Sequence, residues 1–196
     1  MSDPDVGHES RAMLFDRLAR LGIQVETVPY PAHETVDEGK ALRGDMAGTF
    51  TKNLLLKDRK GRLFLLSIHE DRLVDLKSIS SLMGGKGHLS FVIADRVSEL
   101  PGVIPGALTP MGLINDSEAL ITPVIDASLM SCGQLNFHPL LNTESMGISP
   151  EGLVRFIRSC GREPLIVDFN ASDRESSRCI GRQAPAATAQ RGPSTG

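Results

Sequence analysis

Tryptophan is absent from this 196-residue sequence, tyrosine occurs once and cysteine three times. The cysteines (Cys132, Cys160, Cys179) are odd in number and far apart, which argues against a disulfide framework and suits a reducing cytosol. No apolar run approaches the ~18 residues of a membrane span. The acidic opening MSDPDVGHES has no apolar core and does not read as a secretory signal. Cationic excess is missing too. Lys plus Arg number 21 against 24 Asp plus Glu, a net charge of −3, so the chain does not coat nucleic acid by bulk charge. Local contact with nucleic acid stays open. These absences describe a cytoplasmic protein with no membrane partner.

Familiar catalytic and cofactor signatures are also lacking. The five histidines (residues 8, 33, 69, 88 and 138) are scattered and the cysteines unpaired, so no metal-ligand spacing arises. There is no GxSxG elbow, P-loop or dinucleotide fingerprint. Gly84-Gly85-Lys86-Gly87 follows a helical pattern instead of opening one, and reads as a helix-to-strand turn. No cofactor is implied.

What is present is an ordinary globular composition. Hydrophobic residues make up 40%, enough for one core at this length. Residues 170–196 hold four Arg, two acids and one large apolar residue, Ile180, and are expected to be a disordered tail. Residues 1–8 are expected to be a flexible N-terminus and 9–169 the folded domain. Glu9–Leu21 places Met13, Leu14, Leu18 and Leu21 on one helical face, stopped by Gly22. Ile23–Val28 alternates as a strand. Thr35 and Glu38 fit a capping box for a short helix ending near Gly44. Lys52–Lys57 and Arg62–Ile68, joined by Asp58-Arg59-Lys60-Gly61, predict a hairpin.

Beyond it the pattern predicts a helix over Asp75–Met83, a strand over His88–Ala94 and a short helix ending by Pro101. Further strands are expected over Ala119–Asp126, Leu135–His138, Thr143–Ile148 and Leu165–Phe169. Ser149, Pro150 and Gly161 bracket a last helix. Adjacent strand pairs with single helices between them predict an α+β fold: one domain, a mixed, largely antiparallel sheet flanked by helices. Met13 and Met146 read as core, and Lys77 and Lys86 as surface.

Several segments have chemical potential, each with a plainer reading beside it. Lys52 opens an apolar strand and can project a point charge toward a phosphate or carboxylate, or simply be a solvated strand end. Residues 52–62 carry Lys52, Lys57, Arg59, Lys60 and Arg62 against Asp58, net +4, a local seat for nucleic-acid phosphate or a soluble hairpin tip. In Gly106-Ala107-Leu108-Thr109-Pro110, glycine permits close backbone approach and proline fixes the exit, so backbone N–H groups can orient water or bind an oxyanion. It equally fits a loop without function. His138, between Phe137 and Pro139, is a structural or a substrate-contacting histidine. Asp126 is a cap or an anchor for a substrate amino group.

Taken together, Lys52-Asn53-Leu54-Leu55-Leu56-Lys57-Asp58, the Gly106–Pro110 loop, Phe137-His138-Pro139 and Met146-Gly147-Ile148-Ser149-Pro150 resemble the YbaK/prolyl-tRNA synthetase-associated editing domains. The nearest branch is that of the free-standing prolyl-tRNA deacylases (ProXp-ala or PrdX-like), and the resemblance runs from about residue 10 to 169. It implies that fold, and an enzyme that hydrolyses the ester of mischarged tRNA(Pro) in trans, most readily the alanyl form. Lys52 would hold the 3′-terminal phosphate or ribose with Asn53 beside it. Gly106, Ala107, Leu108, Thr109 and Pro110 would shape the aminoacyl pocket, and His138 would line it. The implied partners are the tRNA 3′ end and prolyl-tRNA synthetase, and an apolar sheet edge leaves room for a homodimer.

Two departures stand out. Members of the branch often carry His two residues before the Lys, where this chain has Phe50 as a candidate substrate-binding residue, and often Phe at the place of Leu55. A pocket that excludes the larger prolyl ring by overlap would act as a second sieve. Two alternatives remain: editing of another small aminoacyl ester (cysteinyl or seryl), and a non-catalytic module that binds tRNA or a synthetase.

Overall fold

The computed structural model describes residues 4–29, 31–32, 36–92 and 107–170. The short helix expected before Pro101, the Thr35 cap, Gly106 and residues 171–196 lie outside them. Elements follow in the order α1 (Pro4–Arg20), β1 (Val25–Pro29), α2 (Val36–Leu42), β2 (Thr49–Lys57), β3 (Leu63–His69), α3 (Leu76–Leu82) and β4 (Ser90–Phe91). Then come a 3-10 turn over Pro110–Asn115, β5 (Ile121–Asp126), a second 3-10 turn over Ala127–Ser131, β6 (Leu135–Phe137), β7 (Glu144–Ile148), α4 (Pro150–Ser159) and β8 (Leu165–Val167).

The strands form one mixed sheet in the order β1-β7-β6-β2-β3-β5-β8, with β4 also pairing to β2. Pairs β1/β7, β6/β7, β2/β3 and β2/β4 are antiparallel, and β2/β6, β3/β5 and β5/β8 parallel. This is the expected α+β class. Helices cover both faces, which explains why β2 reads Leu54-Leu55-Leu56 without alternation. Leu55 joins the core beneath α1 and α4, with Leu14, Leu18, Leu153 and Phe156. Leu56 joins the opposite core, with Phe64, Leu66, Ile68, Ile79 and Phe169. Each such side chain contributes roughly 1.5–3 kcal/mol on full burial.

Local signals explain most boundaries. Ser149 caps α4 by accepting from Gly152 N at 3.0 Å, Pro150 occupies its first turn, and Gly161 at φ +73° follows its end. Asp75 caps α3 by accepting from Lys77 N. Two expectations need correcting: α1 already begins at Pro4, within the residues 1–8 expected to be flexible, and Met13 is not core. Met13 is 48% exposed, because α1 turns Leu14 and Leu18 inward and leaves Met13 on its flank. Of the strand expected over His88–Ala94, Ser90 and Phe91 register opposite Lys57 and Leu56 and Val92 N donates to Leu55 O at 3.0 Å, while residues 93–94 lie outside the described residues.

Asp58 organises the β2–β3 turn. It is buried and accepts from Lys60 N, Arg62 N, the Arg62 guanidinium and Lys86 N at 2.7–3.0 Å. Burial opposes its ionisation, but these donors outweigh it and hold the carboxyl down at about 2. A carboxylate with a depressed native pKa stabilises the fold above its ordinary pKa of ~3.9, and that stability is lost as pH falls toward 2. Denaturant midpoints should therefore drop between pH 4 and 2, and less steeply in Asp58→Asn. An identical acid limb in that variant would disprove the assignment.

Candidate active site

The position of Lys52 follows from how β2 is shared between two neighbours. Along the edge away from β3, β6 registers at Thr49 and Phe50, and β4 at Leu56 and Lys57. Residues 51–54 fall between these ladders, in a notch of the sheet. The Thr51 hydroxyl reaches across it to Asn136 O at 2.9 Å. The family-like Lys-Asn pair thus sits where two strands diverge from a third.

Side-chain alternation separates the pair. Phe50 and Lys52 share the face of Leu54 and Leu56. Asn53 faces the other way, with Thr51 and Leu55, in register with Ser67. The parallel register Phe50↔Asn136 puts Asn136 on the Lys52 side. His138 follows Phe137, the last residue of β6, and leads into the turn at Pro139.

Lys52 is half-buried and flanked by charge. Burial pushes its ammonium below the usual lysine range and Lys40 adds to this, while Asp71 and Glu70 pull it back. Around it Lys40 pairs with Asp71, and Arg43 makes a two-pronged pair with Glu70 at 2.6 and 2.7 Å. The Arg43 guanidinium also stacks over the Phe50 ring at 3.9 Å from its centroid. Phe50 is therefore a platform for Arg43, which gives the residue at this departure from the branch pattern a definite contact.

Asn53 anchors the loop. Its Nδ2 donates to Leu108 O at 3.0 Å and its Oδ1 accepts from Ser67 Oγ at 2.7 Å. A carbonyl can only accept, so Leu108 O fixes the amide orientation and the amide fixes the hydroxyl. Ala107 and Thr109 are fully buried, and Leu108 packs against the α1/α4 core. The Thr109 hydroxyl accepts from Met111 N at 3.3 Å and caps the 3-10 turn, with Pro110 in its first turn. What the described part of this loop can offer a ligand is therefore backbone, held in place by Asn53.

His138 is held from behind. Its Nδ1 lies 2.8 Å from Glu144 O, an acceptor, so Nδ1 carries the proton. Glu144 in turn pairs with Arg11 at 2.6 Å. Two residues on, Leu140 takes φ +74° although its side chain is fully buried. That backbone costs roughly 1–3 kcal/mol and turns the chain sharply after His138-Pro139.

Asp126 acts as a cap, accepting from Ser128 N at 3.0 Å and pairing with Arg72 at 3.2 Å. Arg43, Glu70 and Asp71 were not singled out in the sequence. For Glu70 and Asp71 the only signal was a charged turn, His69-Glu70-Asp71-Arg72, directly after an apolar strand, and Arg43 had none. Lys57–Arg62 lie at the far end of β2 from Lys52, so the cationic run is split in space.

The mixed sheet thus brings a lysine-bearing notch and a backbone loop to the same strand. Together they supply charge and fixed dipoles, with no nucleophilic triad among the described residues. The chain belongs to the aminoacyl-tRNA editing domain family, which it matches over residues 31–156, and so stands among the ester hydrolases that the motifs resemble. It is 34% identical over 168 residues to the bovine (Bos taurus) prolyl-tRNA synthetase associated domain-containing protein 1, covering 84% of this chain and 98% of that one. It is 27% identical over 154 residues to the prolyl-tRNA editing protein ProX of Acetoanaerobium sticklandii, covering 78% and 93%. A solved structure provisionally assigned as a trans-editing enzyme for prolyl tRNA synthetase shares the fold, with a TM-score of 0.61 at 20% identity over 86% of this chain and 99% of that one.

Proposed function

We propose that this protein is a trans-acting deacylase that hydrolyses the ester of mischarged tRNA(Pro), with alanyl-tRNA(Pro) as its preferred substrate. The observation that carries the reading is Lys52, half-buried in the β2 notch on the Phe50 side of the sheet, with the loop anchor Asn53 next to it in the chain. The relatives whose names refer to prolyl-tRNA support it.

The chemistry asks little of the protein. An aminoacyl ester is activated, so positioning and stabilisation of the developing oxyanion carry most of the rate. Water adds to the ester carbonyl, the C–O bond to the terminal ribose breaks, and free amino acid and tRNA with a free hydroxyl leave. Lys52 holds the terminal phosphate or ribose, and His138 contacts the substrate. Asn53 acts through the loop, setting its backbone against the pocket. As the family resemblance implies, the tRNA's own terminal 2′-hydroxyl helps to orient the water. The tRNA 3′ end is the partner, and prolyl-tRNA synthetase is the protein it would serve.

The test compares initial deacylation rates on one tRNA(Pro) charged in turn with alanine, cysteine, serine and proline. Alanyl should be fastest and prolyl spared. A faster cysteinyl or seryl rate would replace the substrate assignment. Binding of the tRNA without turnover of any ester would replace the enzyme with a binding module.

A further inference from the structure

The second end of β2 carries a feature that ester hydrolysis at Lys52 does not use. The Asp58 turn and the Gly84–Gly87 turn are knitted together. Arg59 N donates to Lys86 O at 3.1 Å, Lys86 N to Asp58 at 3.0 Å, and the Arg62 guanidinium to Gly84 O at 2.7 Å. Arg62 and Asp58 neutralise each other at 2.7 Å. That leaves Lys57, Arg59, Lys60 and Lys86 on one rim, the last three exposed, none of them paired with a carboxylate among the described residues. Gly87 is part of the seat: a Cβ there would come within 3.2 Å of the Arg59 side chain.

This rim is local excess charge on a chain whose net charge is −3. Next to it Phe91 is 58% exposed, registered opposite Leu56 on β2. Lys57 is five residues along the strand from Lys52, about 17 Å at ~3.4 Å per residue. Phe91, paired with Leu56, lies on the Lys52 face, whereas Lys57 alternates to the Asn53 face, so the cation rim wraps the end of the strand beyond the notch and the aromatic.

We propose that this rim is a docking surface for the phosphate backbone of the tRNA acceptor stem, with Phe91 a stacking platform for a base of the single-stranded end between stem and notch. The proposal rests on the RNA substrate of the reading above and names how that RNA is held. An extended polyanion reaching the notch must pass along the strand or leave the protein. A row of unpaired cations at this distance supplies sequence-independent phosphate contacts, and an exposed ring offers a base a stacking face.

Binding is measured first, with uncharged tRNA, so that the result does not depend on catalysis. The charge-neutral variant Lys57→Gln/Arg59→Gln/Lys60→Gln/Lys86→Gln should bind about tenfold or more weakly at low salt, and its log K against log salt slope should fall by roughly 3. Phe91→Ala should weaken binding severalfold without changing the slope. Hydrolysis is measured second, on alanyl-tRNA(Pro) and on the same amino acid esterified to a CCA trinucleotide. The quadruple variant should lose kcat/KM on the full tRNA and keep it on the trinucleotide. Unchanged tRNA affinity and salt slope in the folded quadruple variant would overturn the docking surface. Wild-type binding with no hydrolysis of either ester would overturn the deacylase reading and leave the docking result standing by itself.

Discussion

Lys52→Ala is expected to lower kcat/KM for alanyl-tRNA(Pro) deacylation by about a hundredfold or more, in line with removal of one preorganised electrostatic group from an active site. The fold should survive, and the reason is the direction of the lysine's pKa. Burial holds the Lys52 ammonium below the usual lysine range, so at neutral pH the charged form costs the native state stability instead of adding to it. Lys52→Met should consequently be at least as stable as the parent while inactive. Activity that depends on this charge is present at low pH and lost as pH rises through the lowered pKa. Once the uncatalysed rate is subtracted, the alkaline fall should begin below the ordinary lysine value of ~10.4. Lys52→Arg, which stays charged, should move that fall upward. Full activity in Lys52→Ala would remove the residue from the mechanism.

The second large effect is expected at Asn53, through the loop it anchors. Asn53→Asp cannot donate to Leu108 O and sets a carboxylate against a carbonyl. Asn53→Ala leaves Leu108 O and the buried Ser67 hydroxyl without their partner. Each orphaned buried group costs about 1–3 kcal/mol, so both variants should be measurably less stable. Deacylation should fall about tenfold or more, mainly in kcat, because the loop backbone loses its seat. Ser67→Ala should reproduce part of the effect. The double variant Ser67→Ala/Asn53→Ala should be little worse than Asn53→Ala, because the two groups act as one unit. Strictly additive losses would mean that the relay through Ser67 does not exist.

Much of the architecture was legible from local signals. The Ser149–Pro150 start and Gly161 stop of α4, the Asp75 cap of α3 and the Asp58–Gly61 turn are each decided within a few residues. The Lys-Asn strand, the Gly106–Pro110 loop and Phe137-His138-Pro139 were legible as a set, through their order and resemblance. Less legible were long-range pairings. Met13 matches the helical period as well as Leu14 does, yet only the position of the sheet decides which of the two is covered. Among the described residues, the strand expected over His88–Ala94 takes its place only through pairing with β2, at Ser90, Phe91 and Val92. Arg43, Glu70 and Asp71 carried no motif at all, since they come from two segments that meet only in the folded chain.

The sequence by itself determined the class of fold, because turn chemistry, capping and hydrophobic period act over short stretches of chain, and its motifs carried the family resemblance and the candidate site residues. Tertiary structure alone decided how those residues are used. The alternation of β2 turns Lys52 and Asn53, neighbours in sequence, to opposite faces of the sheet. The divergence of β6 from β4 makes the notch that holds them. The length of β2 separates Lys52 from the Lys57–Arg62 cations that the linear charge count placed beside it. In each case the deciding quantity is a distance or a direction between strands far apart in the chain, which no local run of residues encodes.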